Sequence, residues 1–262
     1  MKRVFALMLA LLMLLTLVAC SSKEDDEDDE ASDMTVTNNT LSYSPAENPN
    51  GVSIRYEYIN VDEVRIIKYS SNPNVKHAVI IPDQIDQRNV TEIADDAFKA
   101  CANITAVTLP DTIVSIGDSA FYGCIAMTAV KMPAALTKIG DMAFAGCVKL
   151  ASISITSSLT ALGTGAFSDC TDLTTVALPA TLTKLPKMAF MNCTSLKTVT
   201  WSANGTEIGD YAFADCAMLE GFAFPATLET VGECAFLSCA KQTAPTLAGT
   251  VEVGDLAFYG TK

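Results

Sequence analysis

Cysteine is the residue in this chain with the most chemistry to offer: there are nine, and seven of them stand 23 residues apart, at Cys101, Cys124, Cys147, Cys170, Cys193, Cys216 and Cys239. Thiols can pair as disulfides, hold zinc or act as nucleophiles, and the spacing bears on all three. A fixed period of this length places each Cys at the same point of successive stacked units, with parallel side chains about 4.8 Å apart. Disulfide Cβ atoms sit nearer, at about 3.8 Å, and turn towards each other. An odd-numbered ladder also cannot pair completely. Closed zinc sites gather four ligands from close-spaced pairs, and the only His is His77. The seven are therefore expected to be free, buried thiols that pack as small hydrophobes. No metal and no other cofactor is expected. Cys234 stands outside the column, and the sequence leaves its state open.

Other catalytic groupings are missing. One His cannot build repeated acid–base machinery, and no G-x-S-x-G, phosphate-binding loop or H-E-x-x-H occurs. Paired acids such as Asp95-Asp96 fall at turn starts and on solvated faces. No catalytic residue is assigned, and the chain is not expected to be an enzyme.

The unit that positions the thiols is typified by Ile116-Gly117-Asp118-Ser119-Ala120-Phe121-Tyr122-Gly123-Cys124. Its Phe recurs at Phe98, Phe121, Phe144, Phe167, Phe190, Phe213, Phe236 and Phe258, spaced by 23 residues six times and then by 22. A Cys follows three residues later in every unit but the last, which has Thr261. The other columns complete the pattern I-G-D-x-A-F-x-x-C-x-x-L-x-x-V-x-L-P. Alternation in V-x-L predicts a half-buried strand, which Pro110, Pro133, Pro179 or Pro225 ends by withholding an N–H. Ala and Cys four apart, with Phe three from Cys, predict one face of a single helical turn. Asp95, Asp118, Asp141, Asp210 and Asp255 fall where its N-cap belongs, as does Thr164, with Lys187 and Glu233 as departures. Trp201 occupies a core column and is read as packing, although its unit lacks the Pro. The unit after Cys239 has Gln242 and Pro245 in core columns.

This pattern resembles the BspA-like class of bacterial surface leucine-rich repeats, over about residues 79–262, roughly seventy per cent of the chain. The resemblance implies an α/β repeat solenoid, a right-handed stack with a parallel β-sheet on one face and short helical turns. It also implies a cell-surface interaction protein with no catalytic residues to carry over.

Residues 1–19 open with Lys2 and Arg3 and run apolar from Val4 to Ala19, too short for a membrane span of about 20 residues and shaped as a signal peptide. Leu17-Val18-Ala19-Cys20 resembles a bacterial lipoprotein signal, which implies cleavage before Cys20 and lipid attachment to it. An ordinary signal peptide with an incidental Cys is the blander reading. Residues 20–33 form the lipidated tether, whose stretch from Ser21 to Asp33 holds eight carboxylates and one Lys. Like charges repel and nothing apolar favours ordering, so an extended chain is expected. A calcium loop would need a turn-making Gly and spaced ligands, which are absent. Lys23-Glu24-Asp25-Asp26 resembles the signal that sends some Bacteroidetes-type lipoproteins to the outer face of the outer membrane.

Residues 34–91 carry no full repeat. Ile54–Ile59 and Val64–Lys68 read as a hairpin, and Val79-Ile80-Ile81-Pro82 matches the V-x-L-P strand. Because repeat stacks leave an open core at each end, this segment is assigned as a β-rich N-terminal cap to the repeat domain, residues 92–262. The formal net charge is −13, which argues against nucleic acid, whose binding needs a Lys/Arg footprint. The remaining visible surface is the set of outward strand columns, Ala106 and Thr108 through Gly221 and Ala223, small and mostly uncharged. Such a face suits approach by a backbone or a sugar, or merely lets a tight sheet curve. Two functions stand: a surface lipoprotein, held to the membrane by its N-terminal lipid, that binds protein or glycan on host or neighbouring cells; and a structural part of an envelope complex. The sequence names no ligand-binding residue.

Overall fold

Alternating apolar residues need a partner strand, and in this chain each finds it one repeat away. In the computed structural model, residues 34–37, 40–43, 51–155 and 158–262 are described; the signal segment, Cys20 and the acidic tether lie outside them. Most coils contribute two short strands; the coil that holds Phe222 and Phe224 and the one after Cys239 lack the V-x-L strand. The V-x-L strands pair in parallel one period apart: Ile104–Thr108 with Ala129–Lys131, and Ser152–Ser154 with Thr175–Ala177 and then Thr198–Thr200. The Ile column makes a second parallel set, where one had been expected. Ser115–Ile116, Lys138–Ile139 and Ala161–Leu162 form one run. Lys184–Leu185, Glu207–Ile208, Thr230–Val231 and Glu252–Val253 form another.

Between the two strands, the expected helical turn is replaced by something tighter, and among the described residues no α-helix occurs. The backbone enters the left-handed region twice per coil, two residues before and two after each Phe, as at Ser119 (φ 53°) and Gly123 (φ 70°). A left-handed residue every fourth position cannot propagate an α-helix. It turns alternate N–H groups along the stack instead. Ser119, Phe121 and Gly123 donate to the carbonyls of Asp141, Ala143 and Ala145 in the next coil, at 2.7, 2.7 and 2.8 Å. Tyr122 and Cys124 close short i→i−3 bonds within their own coil. The turn thus behaves as a third ladder of the stack.

The Asp column does not cap helices. Asp95 Oδ1 accepts the backbone N–H of Asp118, Asp118 that of Asp141, and Asp141 that of Thr164, each 23 residues on, at 2.7, 2.8 and 2.7 Å. This also explains the Gly of I-G-D: a Cβ at Gly140 would lie 2.6 Å from the Asp118 nitrogen and 2.7 Å from the Gly117 carbonyl carbon.

The core is a column of rings. Phe98, Phe121, Phe144, Phe167, Phe190, Phe213 and Phe236 are fully buried, and successive centroids from Phe98 to Phe213 are 4.8 to 5.6 Å apart with planes within 18°. Beside them runs the thiol ladder. Among the described residues the eight cysteines are free, and only Cys101 is partly exposed. Each column thiol from Cys124 onward also donates to the Phe carbonyl of the coil before, as Cys170 Sγ does to Phe144 O at 3.3 Å. Burial pushes the Cys170 and Cys193 thiols well above the usual range.

Ahead of the repeats, strands β1 (Met34–Thr37), β2 (Thr40–Tyr43), β3 (Ser53–Tyr58) and β4 (Glu63–Ser70) form an antiparallel run, with β3 and β4 as the expected hairpin. Then β5 (His77–Ile80), β6 (Gln84–Ile85), β7 (Arg88–Ile93) and β8 (Ile104–Thr108) join the stack. Strand β4 pairs in parallel with β7, and β5 with β8, Val79 opposite Val107. Residues 63–82 are therefore a degenerate first coil.

Candidate interaction surface

The outward columns of the V-x-L strands form a regular surface. Ala129 and Lys131, Ser152 and Ser154, Thr175 and Ala177, Thr198 and Thr200 are all exposed, and Thr108 with them, while Ala106 is half-buried; Gly221 and Ala223 are exposed too, but in a segment that is not a strand. Intervening Val107, Ile153, Val176 and Val199 are buried. The alternation is therefore as expected, and it leaves a face of hydroxyls and methyls whose one formal charge, Lys131, is paired with Asp111 at 3.2 Å. The Asp111 carboxyl is held below its usual range by the Ala134 N–H and by Lys131.

A polar cluster on the cap falls outside the repeat pattern. Tyr56 and Tyr58 both donate to Asp86 Oδ2, at 3.0 and 2.6 Å, and the Arg88 guanidinium lies over the Tyr58 ring, 4.6 Å from its centroid. Hydrogen bonding from Tyr58 holds the Asp86 carboxyl below its usual range. Asp86 and Gln87 both have positive φ, at 51° and 62°, so they form the two-residue turn joining β6 to β7. The available signal was that Asp-Gln pair between Ile85 and Arg88.

The residues that broke the repeat pattern have structural roles. Trp201 packs partly buried against the core, and its Nε1 donates to Leu182 O at 2.8 Å. Its ring fills the space over Gly205, where a Cβ would meet it at 2.5 Å. Gln242 is buried, and its side-chain oxygen accepts the Phe222 N–H at 2.8 Å, a bond that a Leu could not make. Cys234 is buried and free. His77 is buried in the first coil: its Nε2 meets the Tyr69 hydroxyl, and its Nδ1 lies 2.9 Å from Val75 O. Asp96 is ion-paired with Lys99 at 2.8 Å. Among the described residues, no three His, Cys, Asp or Glu side chains are placed to hold a metal. Cys20 lies outside the described residues.

Stacked coils, parallel strands paired one repeat apart, and an unbroken aromatic column define a parallel β-solenoid of leucine-rich repeat type. The family model for the BspA type leucine rich repeat region matches residues 91–220 and 163–262 in six copies, and the chain belongs to that family. It is similar to a leucine rich repeat protein of T. pallidum, with 30% identity, 72% of this chain and 88% of that one covered, and a TM-score of 0.66. A leucine-rich repeat protein from Bacteroides ovatus shows 26% identity over 77% of this chain and 59% of its own, with a TM-score of 0.57. A leucine rich cell surface protein from Faecalibacterium prausnitzii shares the fold at 23% identity, over 86% of this chain and 73% of that one, with a TM-score of 0.57. No curated protein matches the chain.

Proposed function

We propose that this chain is a surface-exposed lipoprotein, anchored through Cys20 and extended by its acidic tether, whose solenoid binds proteins or glycans on host or neighbouring cells. The observation that carries the binding reading is the outward V-x-L face: exposed, regular, rich in Thr, Ser and Ala, and free of unpaired charge. Flat faces of this kind permit close approach of a partner's backbone or hydroxyls without first desolvating an ion. A solenoid built from neighbour-to-neighbour contacts offers such a face as an extended surface. The F. prausnitzii protein of similar fold is a leucine rich cell surface protein, and membership of the BspA type family is consistent with a protein–protein role.

Protease treatment of intact cells tests display directly. Wild type is expected to be digested, and a variant with Lys23, Glu24, Asp25 and Asp26 replaced by Ala is expected to stay anchored but protected. Cys20→Ala is expected to abolish detergent partitioning and to leave the precursor uncleaved or released. Protection of the wild-type chain on intact cells would place it inside the envelope and overturn the surface reading.

A further inference from the structure

One internal junction of the stack differs from its neighbours. On the Ile-column side, adjoining coils make two main-chain bonds. Thr160 donates to Thr137 O at 3.0 Å and Gly163 to Ile139 O at 2.8 Å; further on, Thr206 donates to Thr183 O and Gly209 to Leu185 O, both at 2.8 Å. Between the Phe167 coil and the Phe190 coil, among the described residues, neither bond is made, and the parallel set breaks there into its two runs. The Asp ladder stops at the same place. Its last bond before the break goes from the Thr164 N–H to Asp141, and it resumes with Asp210, whose Oδ1 accepts the Glu233 N–H at 3.0 Å.

One substitution in the repeat accounts for the break. The Gly of I-G-D lies hard against the coil before: a Cβ at Gly163 would stand 2.3 Å from the Asp141 nitrogen, and one at Gly209 2.6 Å from the Lys187 nitrogen. In the Phe190 coil that column holds Pro186. Proline has no N–H to give Leu162 O, and its ring needs the space that close approach removes. The coils are accordingly held apart on this side. Leu162 is half-buried, whereas Ile116, Ile139 and Leu185 of the same column are buried. The Phe167 and Phe190 rings have the widest spacing in the aromatic column, 5.6 Å. The Phe167 N–H bond to Ala189 O is the longest of its column, at 3.0 Å.

The V-x-L side of the same junction is intact. Thr175, Val176 and Ala177 lie opposite Thr198, Val199 and Thr200, and Leu178 donates to Thr200 O at 2.9 Å. Lys184 and Lys187 reach away from the break, to Glu207 and Asp210 of the Phe213 coil.

We infer that this junction is a hinge: the Pro186 ring wedges its Ile-column side open, the intact V-x-L sheet is the axis, and the two halves of the solenoid rock about it. Motion of this kind is drawn from places with few internal bonds, and a few element-terminal residues suffice to absorb it. Widening one side of a stack while another keeps its spacing bends the stack towards the fixed side. Each opening therefore curves the V-x-L face inward. The hinge stands whatever that face binds.

Amide exchange of the full chain in detergent tests the hinge, because the repeat supplies matched controls. Phe167 is expected to be about tenfold less protected than Phe144 and Phe190. Thr183 should likewise be less protected than Thr160 and Thr206, while Leu178 keeps the protection of Ile155. Pro186→Gly is expected to slow Phe167 to the rate of its two neighbours. Local exchange is the readout there, since the substitution also loosens the unfolded chain and shifts overall stability. Equal protection of Phe144, Phe167 and Phe190 in the wild type would show a static gap and overturn the hinge without any variant. Exchange at Leu178 as fast as at Phe167 overturns it too, because the whole junction would then part. A Pro186→Gly chain that folds yet keeps fast exchange at Phe167 overturns the wedge.

Discussion

Tyr69 lies flat on Phe98, with ring centroids 5.0 Å apart and planes 24° from parallel. The aromatic column therefore begins in β4, before the first complete repeat. The Tyr69 N–H donates to Ala97 O at 2.8 Å, and its hydroxyl meets His77 Nε2. Tyr69→Ala is expected to cost about 3–5 kcal/mol, the usual range for truncating a buried aromatic. Because coils touch only their neighbours, the loss should fall first on the cap. Amide exchange across β3 and β4 should accelerate while the coils around Phe190 stay protected. Tyr69→Phe should keep the stack and lose only the hydroxyl bond. Uniform acceleration along the chain would show that the cap is not a separate step.

Gly140 and Asp118 make a second testable pair. Gly140→Ala puts a methyl against the Asp118 carboxylate oxygen, which a side-chain movement can relieve, and against the Asp118 nitrogen and the Gly117 carbonyl carbon, which are backbone atoms that no side-chain movement relieves. A loss of about 1–3 kcal/mol is expected from overpacking. Asp118→Ala removes the acceptor for the Asp141 N–H, worth about 1 kcal/mol. If the clash is with backbone, Asp118→Ala will not rescue Gly140→Ala, and the two losses will add. Rescue in the double variant, read from denaturant midpoints, would place the conflict at the carboxylate.

The Asp86 cluster sets a pH dependence. Its carboxyl is lowered from the ordinary value of 3.8, first by the Tyr58 hydroxyl and then by that of Tyr56. A group whose folded value is depressed contributes stability above its unfolded value and loses it as pH falls through the folded one. Wild type should therefore exceed Asp86→Asn in stability at pH 6. That advantage should shrink once the pH drops below 3.8. An advantage that survives at pH 2 would mean the Tyr–Asp bonds are not its source.

Period and burial were readable from the sequence because one coil is repeated eight times and Ile, Phe, Leu and Val keep their columns. Turn geometry was misread for a physical reason. Ala, Phe and Cys at helical spacing satisfy one helical face, but the residue two after each Phe carries the contrary signal. That column is Ala100, Gly123, Gly146, Asp169, Asn192, Asp215, Ser238 and Gly260, all at positive φ. Gly, Asn and Asp are the residues that enter the left-handed region most readily, so the column could have been read as a turn. The Asp ladder was harder to see, since an N-cap and an inter-coil acceptor both ask for a carboxylate just before a turn. The Tyr56–Tyr58–Asp86 cluster joins residues up to 30 apart in chain order through non-repeating strands, where no periodicity could reveal it.

The aromatic column and the thiol ladder can be tested together at mid-stack. The Phe167 ring lies 5.3 Å from Phe144 and 5.6 Å from Phe190, whereas Phe258 stacks on Phe236 alone in that column and is only partly buried. Phe167→Ala should cost about 3–5 kcal/mol through lost burial and an incompletely relaxed cavity. It should also uncouple the halves, so that unfolding broadens or splits in two. Phe258→Ala, at an end with one neighbour, should cost less. Cys170, buried beneath Phe144 O with its thiol pushed well above the usual range, should resist a thiol reagent until the chain unfolds. In the Phe167→Ala variant its labelling should accelerate ahead of global unfolding, because the cavity opens beside it. Labelling of native Cys170 as fast as partly exposed Cys101 would contradict the buried ladder. A greater loss from Phe258→Ala than from Phe167→Ala would contradict the stack.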